Sequence, residues 1–167
     1  MTKIIDGPQE GSKISLQMHM GTKTIHAAPM SKVDYCNLKG WSVPDDEDPT
    51  EIGYVVAYSD DYISWSPAKA FDESYRTNGH LTFGHATEAA KAGKRVARLG
   101  WNGSGMFAYI VPAASYPAQT GAAKAHFGEN AMVPYRAYWA LKTAQEDIAT
   151  WTPSGSDTLA EDWIILD

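Results

Sequence analysis

The alternation of hydrophobic and polar positions changes period several times along the chain, and each change marks an element. Residues 1–21 are polar and glycine-rich, which predicts a flexible leader with a strand near 14–18. Residues 22–28 alternate weakly and predict a strand. A short helix follows over 31–38, with Ser31 as N-cap and Gly40 just past its end. Residues 53–59 (GYVVAYS) are β-branched and aromatic, so they predict a strand, with Asp60-Asp61 as a turn and 62–65 as the returning partner. Residues 66–76 predict a second helix, with Ser66 as cap, Pro67 in the first turn, and Ala70, Phe71 and Tyr75 on one face.

After TNGH (77–80), which reads as a hinge, the pattern becomes sharper. Thr82 caps a helix running to about 92, with Phe83, Ala86 and Ala90 facing the core and Gly93 stopping it. Residues 94–99 alternate as a strand, with Val96 and Arg98 on one face and Arg95 and Ala97 on the other. This alternation predicts that the two arginines do not share a pocket within one subunit. WNGSG (101–105) is a turn in which Asn-Gly tolerates positive φ, and 106–112 is the returning strand. Residues 113–130 lack a strong period and predict a long loop with one helical turn near 122–126. Residues 135–143 and 147–151 predict a hairpin turning at 144–146. A short helical turn over 156–160 and a final strand over 163–166 complete the chain. The expected fold class is α+β. The C-terminal domain (80–167) is a small antiparallel sheet with one N-terminal helix, and a small α+β module (22–79) and the leader (1–21) precede it.

Composition narrows the partners. The 167 residues carry a net charge of −6, which argues against polymeric nucleic acid. No stretch approaches the roughly 20 apolar residues of a membrane span, and the first residues lack the apolar region of a signal peptide. The expectation is a cytosolic protein with no membrane partner. One cysteine, Cys36, leaves no internal disulfide. The run PDDEDPTE (44–51) reads as a solvated acidic loop and lacks the spacing of a calcium loop. Six Trp and nine Tyr in a short chain suit stacking surfaces and interfaces.

Catalytic chemistry finds little purchase. No Gly-x-Ser-x-Gly elbow, phosphate-binding glycine loop or dinucleotide fingerprint is present. His19, His26, His80, His85 and His126 are scattered without metal-ligand spacing, so no metal and no cofactor are expected. A binding constellation stands out instead. Arg95 and Arg98 lead into Trp101-Asn102-Gly103, and an arginine, an indole and an amide beside a tight turn suit a flat anionic ligand. The alternative is a packed hairpin corner with solvated arginines.

The blocks TFGHA (82–86), AGKRVARLGWNGSGM (92–106) and LAEDW (159–163), with SYPAQTGAAKAHFGEN (115–130) and VPYRAYWALKTA (133–144) between them, stand in order at close spacing. Over residues 80–167 the chain resembles the Thoeris anti-defence protein type two family of phage proteins. The resemblance implies a protein that binds cyclic nucleotide immune signals without cleaving them. The signal is chiefly glycocyclic ADP-ribose, with cyclic dinucleotides held by some relatives. It implies a homo-oligomer, a dimer or dimer of dimers with pockets between subunits, acting in the host cell cytoplasm during infection.

On that resemblance the candidate ligand-binding residues are Phe83, Arg98, Trp101, Asn102, Gly103, Thr120 and Asp157, with no catalytic residue. Trp101 and Phe83 are the stacking candidates, Arg98 is favoured over Arg95 for the pyrophosphate, and Asn102, Thr120 and Asp157 read ribose hydroxyls or base edges. Arg95, Lys124 and Asp162 form a second tier, with Asp162 and Trp163 equally suited to closing the sheet or an interface. Two other classes remain as alternatives. One is a phage structural or host-protein interaction module; the other is a small nucleotide-modifying enzyme acting through Asp157, Asp162 or His126. Residues 26–76 resemble a small phage-encoded module of unknown biochemistry, which leaves the front half without an assigned role.

Overall fold

The computed structural model describes residues 3–6, 13–18 and 21–166, and in it the chain divides into two units, residues 1–73 and 74–167. The expected leader falls partly outside the described residues, as does His19. Its described parts form two strands, β1 (Lys3–Asp6) and β2 (Lys13–Leu16), paired antiparallel.

The rest of unit 1 is a three-stranded antiparallel sheet in the order β3-β4-β5, from β3 (His26–Ser31), β4 (Ile52–Ala57) and β5 (Ile63–Pro67). The strand expected over 22–28 is shifted forward, because β4 pairs with residues up to Ser31. Helix α1 (Lys32–Lys39) follows at once, with the Ser31 hydroxyl accepting from the Asp34 N–H and Gly40 closing it at φ 71°. Ser66 does not cap a helix. It pairs with Tyr54 inside β5, and α2 (Ala68–Ser74) starts only after Pro67, because the ladder with β4 claims Ser66 first. Trp65 lays its indole across Gly53 to donate to the Met30 carbonyl at 2.9 Å. Phe71 is buried and stacks on Tyr54 at 4.0 Å.

Unit 2 is built on a five-stranded antiparallel sheet in the order β11 (Ile148–Thr150), β10 (Tyr138–Lys142), β7 (Phe107–Val111), β6 (Arg95–Arg98), β12 (Trp163–Leu166). Helix α3 (Phe83–Lys91) opens with a capping box in which Thr82 and His85 bond reciprocally, so His85 is a capping residue. β6 (Arg95–Arg98) and β7 (Phe107–Val111) flank the WNGSG turn. The positive φ in this turn falls at Gly105, not at Asn102, and Gly103 is needed for space. A Cβ there would lie 2.2 Å from Met106 Sδ and 2.9 Å from Ala144 Cβ.

The expected long loop contains β8 (Ala114–Pro117) and α4 (Gly121–Phe127). β8 pairs with β9 (Met132–Tyr135), a separate two-stranded sheet whose partner is too far along the chain for local periodicity to reveal. β10 (Tyr138–Lys142) and β11 (Ile148–Thr150) form the expected hairpin, with Glu146 at φ 69° in its turn. α5 (Gly155–Thr158) precedes the last strand, β12 (Trp163–Leu166), so this unit has three helices: the expected α3, and α4 and α5 where short helical turns were expected. The α+β class holds.

Register decides what each face of the sheet carries. Val96, Ala108, Trp163 and Ile165 face α3, where Leu81, Ala86 and Ala90 complete the core. All four tryptophans of unit 2 join there. Trp101, Trp139, Trp151 and Trp163 meet mostly edge to face, with centroids 5.6–6.3 Å apart. Most of the tryptophan surplus is therefore core. The opposite face carries Ala97, Phe107, Tyr109, Ile164 and Leu166.

Candidate functional site

Where β6 ends, the chain must turn while its last side chain, Arg98, sits opposite Trp163 on the neighbouring strand. Two carboxylates meet it there. Asp162, just before β12, accepts from Arg98 Nε at 2.8 Å and Nη2 at 3.3 Å, and also from the Gly100 N–H at 2.9 Å. Asp157, buried in α5, accepts from Arg98 Nη1 at 2.9 Å and the Trp101 indole N–H at 3.2 Å. Its other oxygen accepts from the Ser154 N–H at 3.0 Å, closing the capping box of α5, and from the Ser154 hydroxyl at 2.6 Å. The Trp163 indole N–H donates to the Asp157 carbonyl at 3.0 Å. α5, β12, β6 and the Trp101 turn are thus tied through one ion cluster.

The electrostatics follow from that geometry. Burial works to raise the Asp157 carboxyl, but donors from Ser154, Arg98 and Trp101 outweigh it and hold the group down to about 2. The Arg98 guanidinium holds Asp162 below the usual carboxylate range, and Asp162 in turn raises Arg98. Two carboxylates against one guanidinium leave the cluster net negative, which disfavours a phosphate beside Arg98.

Next to this cluster lies an open groove of about 440 Å³. Ala97, Phe107, Ile164 and Leu166 form its floor, and Leu99, Trp101, Gly103, Gly105 and Met106 form one wall. Both Arg95 and Arg98 line it. The expectation that strand alternation keeps the arginines out of one pocket fails, because the groove runs off the sheet face onto the turn where β6 ends. Arg95 sets its guanidinium 5.2 Å from the centre of the Phe107 ring.

Of the sequence-derived candidates, the structure brings Arg95, Arg98, Trp101 and Gly103 together in this groove, with Asn102 exposed in the same turn. Asp157 and Asp162 stand behind it as partners of Arg98. Phe83 lies elsewhere, against Trp139 and Trp163 in the α3 core. Thr120 caps α4, accepting from the Ala123 N–H, and Lys124 pairs with Glu129. Sequence reading missed the apolar floor. Its signal was the every-second-residue pairs Phe107 and Tyr109 on β7 and Ile164 and Leu166 on β12, on the face away from α3. It also passed over a second groove of about 480 Å³, lined by Tyr116, Pro117, Gln119, Tyr135 and Tyr138.

Fold and site together define a small α+β domain with an open, arginine-flanked apolar groove, a form suited to binding. A family model for the Thoeris anti-defense 2-like domain matches residues 81–166, the stretch that builds this sheet and groove. Thoeris anti-defense 2 of Bacillus phage SP01 is 38% identical over 87 residues, covering 52% of this chain and 94% of that protein. The chain belongs to the Thoeris anti-defense 2-like family of phage anti-defence proteins.

Proposed function

We propose that this protein counters host defence by binding and holding a cyclic nucleotide immune signal, glycocyclic ADP-ribose or a cyclic dinucleotide, without cleaving it. The observation that carries this reading is the groove beside the Trp101 turn, inside the family-matched unit, where guanidinium groups flank an apolar floor. A flat base needs an apolar surface, and a pyrophosphate needs a cation. In this reading Arg95, which lines the groove beside the Phe107 ring, provides an anion contact. Trp101 and Met106 flank the base, and Asn102 reaches a ribose hydroxyl. Self-association through the face bearing Phe107, Tyr109, Ile164 and Leu166 would enclose the groove between subunits, which suits a dimer or dimer of dimers working in the host cytoplasm.

The test is calorimetric titration of the full chain with glycocyclic ADP-ribose, followed by heat denaturation and chromatography of the released ligand. Intact recovery is expected. A changed product would make the protein an enzyme, and no uptake of this signal or of a cyclic dinucleotide would leave a structural or host-interaction module. Arg95→Ala is expected to weaken binding by about tenfold or more while leaving the Arg98 cluster in place. Unchanged affinity would remove Arg95 from the site.

A further inference from the structure

The chain's charge is divided as sharply as its fold. Residues 1–73 carry 12 Asp+Glu against six Lys+Arg, while residues 74–167 carry eight of each, so the whole net charge of −6 belongs to unit 1. That unit also exposes large apolar side chains around α1. Trp41 is 60% exposed, Leu38 58% and Ile52 63%. Trp41 stands just past the end of α1, its ring edge against Tyr35, and Ile52 lies beside the start of α1, opposite Ser31. Between them runs the acidic stretch 44–51, and it is pinned. The Glu47 N–H donates to the Pro44 carbonyl and the Glu51 N–H to that of Asp48. The Lys32 and Val33 N–H groups donate to the carbonyls of Glu51 and Pro49. Asp48 accepts from Thr50 through both backbone and hydroxyl. The loop therefore retraces α1 from end to start, and its carboxylates flank the exposed apolar residues at both ends.

The lysines nearby neutralise only part of this loop. Lys32 pairs with Glu47 and lies over the Trp65 ring. Lys39 lies near the Tyr35 and Trp41 rings, and Lys23 over Tyr58. Among the described residues, Asp45, Asp46, Asp48 and Glu51 have no ion-pair partner. Exposed Leu38 and Trp41 at the end of α1 and Ile52 at its start supply apolar anchors of the kind that concentrate binding energy in interfaces. The surrounding uncompensated carboxylates select the sign of what docks on them.

We propose that the α1 face of unit 1, formed by Leu38, Trp41 and Ile52 with the 44–51 loop, is a docking surface for a cationic protein segment. That segment carries lysines or arginines interleaved with apolar anchors. This proposal is independent of the groove in unit 2.

Fluorescence anisotropy of the full chain tests it with a labelled Lys-Lys-Leu-Leu-Lys-Lys-Leu-Leu-Lys peptide and a charge-matched peptide carrying Ser at each Leu position. The Lys/Leu peptide is expected to bind about tenfold or more tighter than the Lys/Ser peptide, with affinity falling as salt rises. The combined substitution Asp45→Asn, Asp46→Asn, Asp48→Asn is expected to weaken binding by about tenfold. A control that removes three other carboxylates of unit 1 (Asp61→Asn, Asp72→Asn, Glu73→Gln) is expected to change it less than about twofold. Leu38→Ser, at an exposed helical position, is expected to weaken binding several-fold with the circular dichroism unchanged. It provides the apolar arm of the test if Trp41→Ser disturbs the Tyr35 contact. No binding, equal binding of the two peptides, or equal loss in the loop and control variants would overturn the proposal.

Discussion

Two single residues show how packing sets what a position tolerates. At Gly53 a Cβ would lie 2.3 Å from the Ser66 carbonyl oxygen and 2.5 Å from the Trp65 ring. The carbonyl is part of the β4–β5 ladder and cannot step aside. Gly53→Ala is therefore expected to destabilise unit 1 by about 2 kcal/mol or more, read as a lower urea midpoint. The second residue is Asp157. Its carboxyl, ordinarily at 3.8, is held down to about 2 in the fold. The unfolded chain thus takes up this proton at a higher pH than the folded one. The stabilisation is fully present above about pH 5 and is lost as pH falls through 3.8 towards 2, amounting to about 2 kcal/mol. Asp162 shifts in the same direction. Acid titration followed by tryptophan fluorescence should show unit 2 loosening in that window, and Asp157→Asn should flatten the loss while lowering stability at pH 7. A pH-independent stability from 5 to 2 would contradict the cluster's role.

Elements in this chain are shaped as much by their ends as by their interiors. The β12 edge is closed by a side chain. Asn78 accepts from the Ile165 N–H at 2.7 Å and donates to the Ile165 carbonyl at 3.0 Å, imitating a neighbouring strand. Asn78→Ala is expected to cost about 1–2 kcal/mol and to speed hydrogen exchange at the Ile165 amide well beyond its effect on α3. Helix limits were readable from local chemistry: Ser31 and Gly40 around α1, and Thr82 and Gly93 around α3, are stop and start signals that need no partner. β8 was not readable, because its reason for being a strand is β9, fifteen or more residues away along the chain. Ser66 was misread for a similar reason, its place being set by Tyr54 across the ladder.

At the scale of the whole molecule, the two units carry separate cores and different net charges, one acidic and one neutral. Unit 2 holds its own hydrophobic cluster around Trp163, which is fully buried. A fragment of residues 74–167 is therefore expected to unfold cooperatively alone, as checked by circular dichroism on heating. A fragment without a cooperative transition would show that its core is incomplete. The neutral unit is the one proposed for an anionic nucleotide, and the acidic unit the one proposed for a cationic partner, so neither surface opposes its own ligand.

The sequence by itself determined the α+β class, the caps of α1 and α3, the β4–β5, β6–β7 and β10–β11 hairpins, and the ordered blocks that place the second half in its family. Each of these rests on periodicity, caps and turns within a few residues, or on residue identity alone. It also singled out Arg95, Arg98, Trp101 and Gly103. Only the tertiary structure decided what these residues do. Asp157 and Asp162, about sixty positions further on, take up the Arg98 guanidinium, and the other tryptophans of unit 2 draw Trp101 toward the core. The groove exists because register places Phe107, Ile164 and Leu166 on the face away from α3. Pairing between distant strands sets that register, and a local pattern of polar and apolar positions holds no record of its partner.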